Sequence, residues 1–75
     1  MSLFETSDLY LAAVLHALKF KISEVKTEGR RTVFIFVDDE SRRKAIVEYY
    51  NGELEIKARD FIDSVKNLKA MTFNY

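Results

Sequence analysis

The sequence of 75 residues predicts a small α+β domain of the order α-β-β-α-α, in which helices cover a central antiparallel β-hairpin. Three observations predict this class. Residues 32–37 are six consecutive β-branched or aromatic residues, which is typical of a strand that is apolar on both faces. Gly29 lies between this strand and an alternating segment, and it can take the positive φ of a hairpin turn. Three other segments carry apolar residues at helical spacing.

The two strands of the hairpin are expected at about residues 20–26 and 31–37. In the first strand Phe20 and Ile22 are in step while Val25 is out of step, which indicates a bend or a bulge. Residues 53–57 also alternate with period two. They are compatible with a short third strand or with an extended connection.

The helices are expected at about residues 7–18, 40–50 and 58–71. Thr6-Ser7-Asp8 is typical of a helix start, either aspartate of Asp38-Asp39 can cap the second helix, and Asn51-Gly52 is typical of a helix end. The third helix has the most regular apolar stripe of the three. The predicted core consists of Leu11, Val14, Leu15, Leu18, Phe20, Ile22, Val33, Phe34, Ile35, Phe36, Ile46, Tyr49, Phe61, Ile62, Val65 and Leu68.

The composition predicts the number of domains and the cellular compartment of the protein. The sequence has no proline and two glycines, which argues against linkers, so residues 1–75 are expected to form one domain. The absence of cysteine excludes disulfides and thiolate metal sites and indicates a reducing, cytoplasmic compartment. The apolar run from Leu9 to Leu18 is too short to span a bilayer, and Glu5 and Asp8 before it do not fit a secretory signal. No association with a membrane is expected.

The order helix, hairpin, helix, helix resembles a family of short prokaryotic and phage-associated domains of unknown function. The phrases that carry the resemblance include Ser7-Asp8-Leu9-Tyr10-Leu11-Ala12-Ala13, Gly29-Arg30-Arg31 and Tyr49-Tyr50-Asn51-Gly52. The resemblance covers nearly the whole chain and implies a compact intracellular α+β module. It brings no activity, cofactor or catalytic residue. Members of that family place an acidic cap, and often a proline, before the last helix, whereas Lys57-Ala58 stand there in this sequence.

No catalytic motif is visible, so we expect a protein that is not an enzyme and that holds no cofactor or metal. His16 is the only histidine, and no serine or cysteine lies near it at helical spacing, so a packing or hydrogen-bonding role is expected. The acidic cluster Asp38, Asp39 and Glu40 is explained by capping at a helix start rather than by a metal. Two glycines cannot form a phosphate-binding loop.

Five basic residues lie within the fifteen positions of residues 30–44. Twelve basic and twelve acidic residues cancel over the whole chain, which removes a general attraction to nucleic acid. Cations with aromatic residues near them are nevertheless what proteins use to bind single-stranded nucleic acid. The candidate nucleic-acid contacts are Arg30, Arg31, Arg42, Arg43 and Lys44. The function that we favour is a non-enzymatic interaction module with an unidentified protein partner, and we include in this class an accessory protein of a mobile element. Nucleic-acid binding is the alternative.

The sequence also predicts self-association as a homodimer. A short sheet that is apolar on both faces needs more cover than three short helices of one small chain provide. Part of the first helix remains uncovered once its main apolar face is turned to the core. The predicted seam is this remainder: Leu9, Tyr10, Ala13 and Ala17. In the opposing interpretation, Phe73 and Tyr75 of the tail cover the same surface and close the monomer.

Overall fold

A computed structural model, which describes residues 3–37 and 39–74, contains a three-stranded antiparallel sheet and three helices. In chain order the elements are β1 (Leu3–Thr6), α1 (Leu9–Ala17), β2 (Ile22–Glu28), β3 (Arg31–Val37), α2 (Glu40–Tyr50) and α3 (Ala58–Asn74). The predicted α+β class is confirmed, and so is the hairpin, which consists of β2 and β3. None of the helices in the described part of the chain combines the length and apolarity needed to cross a lipid bilayer.

The third strand is β1, at the start of the chain, and the sequence did not predict it. The strand order is β1-β3-β2, and β1 pairs with β3 so that Phe4 lies opposite Phe36. Residues 53–57 form an irregular connection between α2 and α3 rather than a strand. Four residues are too few for an alternation to stand out, which explains why β1 was missed.

One face of the sheet packs against the helices. Across the three strands the pairing aligns Phe4, Phe36 and Ile22, and it aligns Phe34 with Val25. Phe34 and Phe36 are fully buried, and the other three side chains pack against the cluster that they form with the helices. The register between β2 and β3 shifts between Ile22 and Glu24, which confirms the predicted bulge and keeps Ile22 and Val25 on the same face.

The opposite face of β3 carries Val33 and Ile35, which are also buried. Lys26 of β2 lies opposite Val33, and Glu5 of β1 lies opposite Ile35. The Lys26 ammonium is 3.7 Å from the Glu5 carboxylate, so this ion pair reaches from one edge strand to the other across β3. The ion pair thus lies on the same face of the sheet as Val33 and Ile35, opposite the helix cluster.

The helices contribute both large and very small side chains to the core. Leu11 and Leu15 of α1 and Leu68 of α3 are buried in the same cluster as Phe34 and Phe36. Three alanines of the helices are buried as well: Ala12, Ala13 and Ala45. Small side chains allow close approach between elements, and α1 and α3 make the most extensive contact between helices.

The predicted core is largely confirmed, with one clear error. Every predicted core residue other than Ile62 is buried or partly buried. Most of these residues belong to the central cluster or pack against it. Ile62 is 50% exposed. The stripe of α3 that faces the core contains Ser64 in its place, together with Phe61, Val65 and Leu68. The prediction selected Ile62 because it is apolar, although the buried stripe includes a polar residue.

The helix ends use the predicted residue types, with one change of position. Asp8 rather than Thr6 or Ser7 is the N-cap of α1, and its carboxylate accepts hydrogen bonds from the amides of Tyr10 and Leu11. Asp39 caps α2, whereas Asp38 lies outside the described residues. Helix α2 ends at Asn51-Gly52 as predicted. The predicted docking of Phe73 and Tyr75 also concerns side chains outside the described part of the chain.

The end of α1 has an unusual residue in the left-handed conformation. Lys19 has φ of 75°, and its amide donates to the His16 carbonyl while the amide of Phe20 donates to the Leu15 carbonyl. This pair of hydrogen bonds closes many helices, but the left-handed residue is usually glycine because a Cβ there is strained. The backbone at Lys19 is therefore under local strain.

We expect Lys19→Gly to stabilise the domain by about 1 kcal/mol, because glycine removes the strain of the left-handed conformation. Lys21→Gly is the matched control, since it removes the same charge from a residue whose φ is negative. It should lower stability slightly through the greater freedom of the unfolded chain. Urea unfolding of the three proteins measures the difference, and equal effects of the two substitutions would contradict the assignment of strain to Lys19.

Candidate functional site

His16 forms a hydrogen bond that links α1 to α3. Its Nδ1 atom is 3.0 Å from the Ser64 hydroxyl oxygen, and Ser64 is only 5% exposed. Forty-eight positions separate the two residues, so no local pattern could bring them together. The one available signal was that Ser64 interrupts the apolar stripe of α3, since a polar residue on a buried face generally has a hydrogen-bond partner.

A shallow depression of about 150 Å³ lies beside this link. Its lining includes His16, Ser64 and the carboxylates of Asp60 and Asp63. A histidine, a serine and an acid are the components of a hydrolytic triad, but such a triad requires a carboxylate bonded to the histidine. Within residues 3–37 and 39–74, no ion pair joins His16 to a carboxylate. The geometry therefore supports a link between helices.

Two effects lower the pKa of His16. The larger is burial, which disfavours the charged imidazolium, and the second is repulsion by the Lys19 ammonium. Both effects favour the neutral ring at neutral pH. In the neutral state one ring nitrogen donates and the other accepts, so the Ser64 hydroxyl can pair with Nδ1 in either tautomer.

A larger groove lies on the other side of His16, where the chain leaves α1 and enters β2. Its volume is about 410 Å³, and its lining consists of His16, Lys19, Phe20, Lys21, Ile22 and Met71. Lys19, Phe20 and Lys21 also line a neighbouring depression of about 280 Å³, which reaches Val37 and Asp39. We refer to the larger one as the lysine groove. Sequence reasoning treated residues 20–22 only as the start of a strand and did not identify this groove.

The five candidate nucleic-acid contacts do not all lie on the surface. Arg42 is 5% exposed, and its guanidinium carbon is 4.5 Å from the centre of the Phe4 ring, so its prediction as a surface cation is wrong. The physical reason is that a guanidinium stacks favourably on an aromatic face. Arg30 and Arg31 are exposed near the β2–β3 turn, where Arg31 lies 4.0 Å from Glu28. Arg43 and Lys44 are exposed on α2.

The predicted dimer seam on α1 is only partly exposed. Ala13 is fully buried in the core cluster, and Leu9 packs against that cluster, so these two residues do not belong to a free surface. Tyr10 is 57% exposed, and its ring stacks on Phe61 of α3 with 6.3 Å between the ring centres. Ala17 lines the depression beside Ser64. The exposed apolar surface thus extends from Tyr10 onto α3, which the sequence did not predict.

Acidic side chains of the described residues do not gather into a metal site. No group of three or more histidine, aspartate or glutamate residues within 3–37 and 39–74 could hold a metal ion. Asp39 serves as the cap of α2, where its carboxylate accepts a hydrogen bond of 2.7 Å from the Ser41 amide. This contact explains the position of Asp39, one member of the acidic cluster at the helix start.

Comparison with known proteins places the chain in a family. A family model described as a domain of unknown function, DUF5659, matches residues 1–74, and the chain belongs to this family. Comparison with curated proteins gave no match, and comparison with solved structures gave none either. The family assignment agrees with the sequence-based expectation of a domain whose function is uncharacterised.

We expect Arg42→Ala to destabilise the domain by about 2 kcal/mol, because it removes a desolvated contact with the Phe4 ring and leaves that ring less covered. Lys44→Ala on the same helix is the matched control and should change the free energy of unfolding by less than about 0.5 kcal/mol, since Lys44 is exposed. Thermal and urea unfolding measure both changes. A small effect at Arg42 would show that the arginine is not part of the core.

We also expect His16 to make stability depend on pH. Its folded-state pKa is lowered from 6.5, so the unfolded state binds more protons as the pH falls, and stability is lost as the pH drops through the folded-state pKa. His16→Asn keeps a polar atom near Ser64 but does not titrate. Urea unfolding at pH values of about 7.5 and 5.5 should show a smaller loss of stability for this variant than for the wild type. Parallel losses would contradict the role of His16.

Proposed function

We propose that this DUF5659 domain is a non-enzymatic protein-interaction module that forms a homodimer. The observation that carries the proposal is an apolar surface where α1 meets α3. We call it the α1–α3 patch, and it consists of the exposed Tyr10 and Ile62 together with Phe61 and Val65, which pack on the core and are only partly exposed. Tyr10 stacks on Phe61, while Val65 lies one turn beyond both Phe61 and Ile62 on the same helix.

Burial of this patch would be favourable. Tyr10 and Ile62 are 57% and 50% exposed, and removal of apolar area from water contributes about 25 cal/mol per Å². Tyrosine is enriched at the centres of protein interfaces because its ring offers a large apolar area with a polar end. Ile62 follows Phe61 directly in α3, so a second subunit that covers Tyr10 and Ile62 together would bury apolar area of both helices.

The charges of α3 favour a second copy as the partner. Asp60 and Asp63 precede Lys66 and Lys69 along the helix, although the cation Arg59 lies before them. A two-fold axis that pairs α3 with its copy in the antiparallel direction would bring Asp60 and Asp63 of each helix near Lys66 and Lys69 of the other. The formal net charge of the chain is zero, so long-range repulsion between copies is absent.

Two features support a role that is not enzymatic. Ser64 is only 5% exposed and its hydroxyl already pairs with His16, so a substrate carbonyl has little access to it. The depression that contains Ser64 measures about 150 Å³, which is below the usual range of about 300–1,000 Å³ for small-molecule sites. A serine nucleophile would need both access and space.

Nucleic-acid binding has weaker support. The burial of Arg42 against Phe4 removes one of the five cations from the surface, and Arg31 lies within 4.0 Å of the Glu28 carboxylate. We further propose that the module is an accessory protein of a mobile element. This part of the proposal is supported only by the short sequence phrases that resemble phage-associated domains. A cytoplasmic location is likewise proposed, on the ground that the sequence contains no cysteine.

The homodimer can be tested by sedimentation equilibrium. At a concentration of about 50 μM we expect a mass near twice 8.8 kDa, with dissociation on dilution as in a modest interface. Ile62→Glu should shift the protein to the monomer, because it places a charge on an exposed apolar position of the patch. Val47→Glu on α2 is the matched control, since Val47 is 59% exposed and lies outside the patch.

Two results would overturn the homodimer. One is a wild-type mass of 8.8 kDa that does not change with concentration. The other is equal dissociation by Ile62→Glu and Val47→Glu, which would remove the α1–α3 patch as the seam. Circular dichroism of both variants confirms that each remains folded, so that dissociation is not confused with unfolding.

A further inference from the structure

We infer that the lysine groove binds a small amphipathic anion, that is, a phosphate or carboxylate attached to an apolar group. The inference concerns a ligand site and is independent of the proposed dimer. The groove combines two lysines and the imidazole of His16 with three apolar side chains at the point where α1 ends and β2 begins. Nothing in the family description assigns a ligand to it.

The polar part of the groove consists of two lysines and a histidine, without a carboxylate among its lining residues. Lys19 and Lys21 each bring an ammonium group with three donors and no acceptor, and His16 brings an imidazole. The carboxylates near this region line the two neighbouring depressions, where Asp39 lies on one side and Asp60 and Asp63 on the other. The lining of the groove itself therefore selects for a negatively charged group.

The apolar part of the groove selects for a hydrophobic substituent. Phe20, Ile22 and Met71 line the same groove as the lysines. Methionine adapts to irregular ligand shapes, and an aromatic ring offers a flat contact surface. The volume of about 410 Å³ is in the range of small-molecule sites. A bare inorganic anion would leave this part of the groove unfilled.

The backbone at Lys19 is consistent with a binding role. Lys19 holds the left-handed conformation that glycine adopts with less strain. Two hydrogen bonds, from the amides of Lys19 and Phe20, fix this conformation and so fix the point from which the lysine side chain leaves the chain. Strained residues held by their surroundings are concentrated at functional sites.

His16 supplies a second readout of binding. Four charged groups lie around it: Lys19 after its own helix, Lys21 across the groove, and Asp60 and Asp63 on α3. Burial and Lys19 lower the pKa of the ring in the free protein. An anion between the lysines and the ring would favour the imidazolium and raise the pKa of His16. Because His16 is the only histidine, its ring proton signals can be followed without ambiguity.

The experiment is a titration of the ¹⁵N-labelled full chain with 1-naphthyl phosphate, followed by NMR. Inorganic phosphate and the neutral 1-naphthalenemethanol are titrated in parallel. We expect saturable shifts concentrated at residues 16–22 and 71, with the naphthyl phosphate bound at least about tenfold more tightly than either comparison compound, which corresponds to about 1.4 kcal/mol. The pKa of His16 should rise when naphthyl phosphate is bound.

Variants separate the groove from general charge effects. The double substitution Lys19→Gln with Lys21→Gln should weaken binding of naphthyl phosphate by about tenfold or more. Arg30→Gln with Arg31→Gln is the matched control, because it removes the same charge from exposed positions near the β2–β3 turn. Equal weakening by the two double variants would overturn the site, since it would indicate only general attraction. Spectral dispersion confirms that each variant is folded.

Three further results would overturn the inference. Equal affinity for the neutral alcohol would show that the apolar surface binds without the lysines. Equal affinity for inorganic phosphate would show that the apolar residues contribute nothing. Shifts centred on Tyr10 and Ile62 would place the ligand on the α1–α3 patch. The titration is repeated with Ile62→Glu, so that loss of the dimer and loss of the ligand site are recorded separately.

Discussion

The strand β3 is apolar on both faces, and each face places a different requirement on the rest of the chain. Phe34 and Phe36 are large, and their burial requires a layer of helices. Val33 and Ile35 lie on the other face, where Lys26 and Glu5 of the two edge strands form an ion pair across β3. This arrangement needs strands on both sides of β3. The short strand β1 is therefore essential to the sheet, although it has only four residues.

The helix layer in turn determines where polar groups can lie. Buried alanines on α1 allow close approach of its neighbours, and α3 packs against α1 closely enough for Ser64 to reach the ring of His16. Arg42 on α2 is buried against Phe4, a residue of β1 that also packs on the core. Both contacts tie a helix to an element that is distant in the sequence. They make the relative positions of the elements more specific than apolar packing alone would.

The sequence correctly predicted those helices and strands whose apolar pattern extends over many residues. The apolar run of β3, the glycine turn before it and the helical stripe of α3 all agree with the structure. Strand β1 could not be predicted, because four residues carry too little periodicity and its stability comes from pairing with β3. The same limit applies to the sites. His16 was recognised as a hydrogen-bonding residue, but its partner Ser64, the burial of Arg42 and the exposure of Ile62 depend on contacts between distant segments.

The positions that depart from general rules are the most informative about function. Lysine in a left-handed conformation lowers the stability of the domain, Ile62 leaves half of its apolar side chain in water, and a domain of this size has little stability in reserve. Arg42 and Ser64 depart from the rules as well, but Phe4 and His16 compensate for them inside the fold. For Lys19 and Ile62 no such compensation is visible in the described part of the chain. Since natural sequences tend to keep local conflicts where function requires them, the ligand and the second subunit that we propose would supply this compensation.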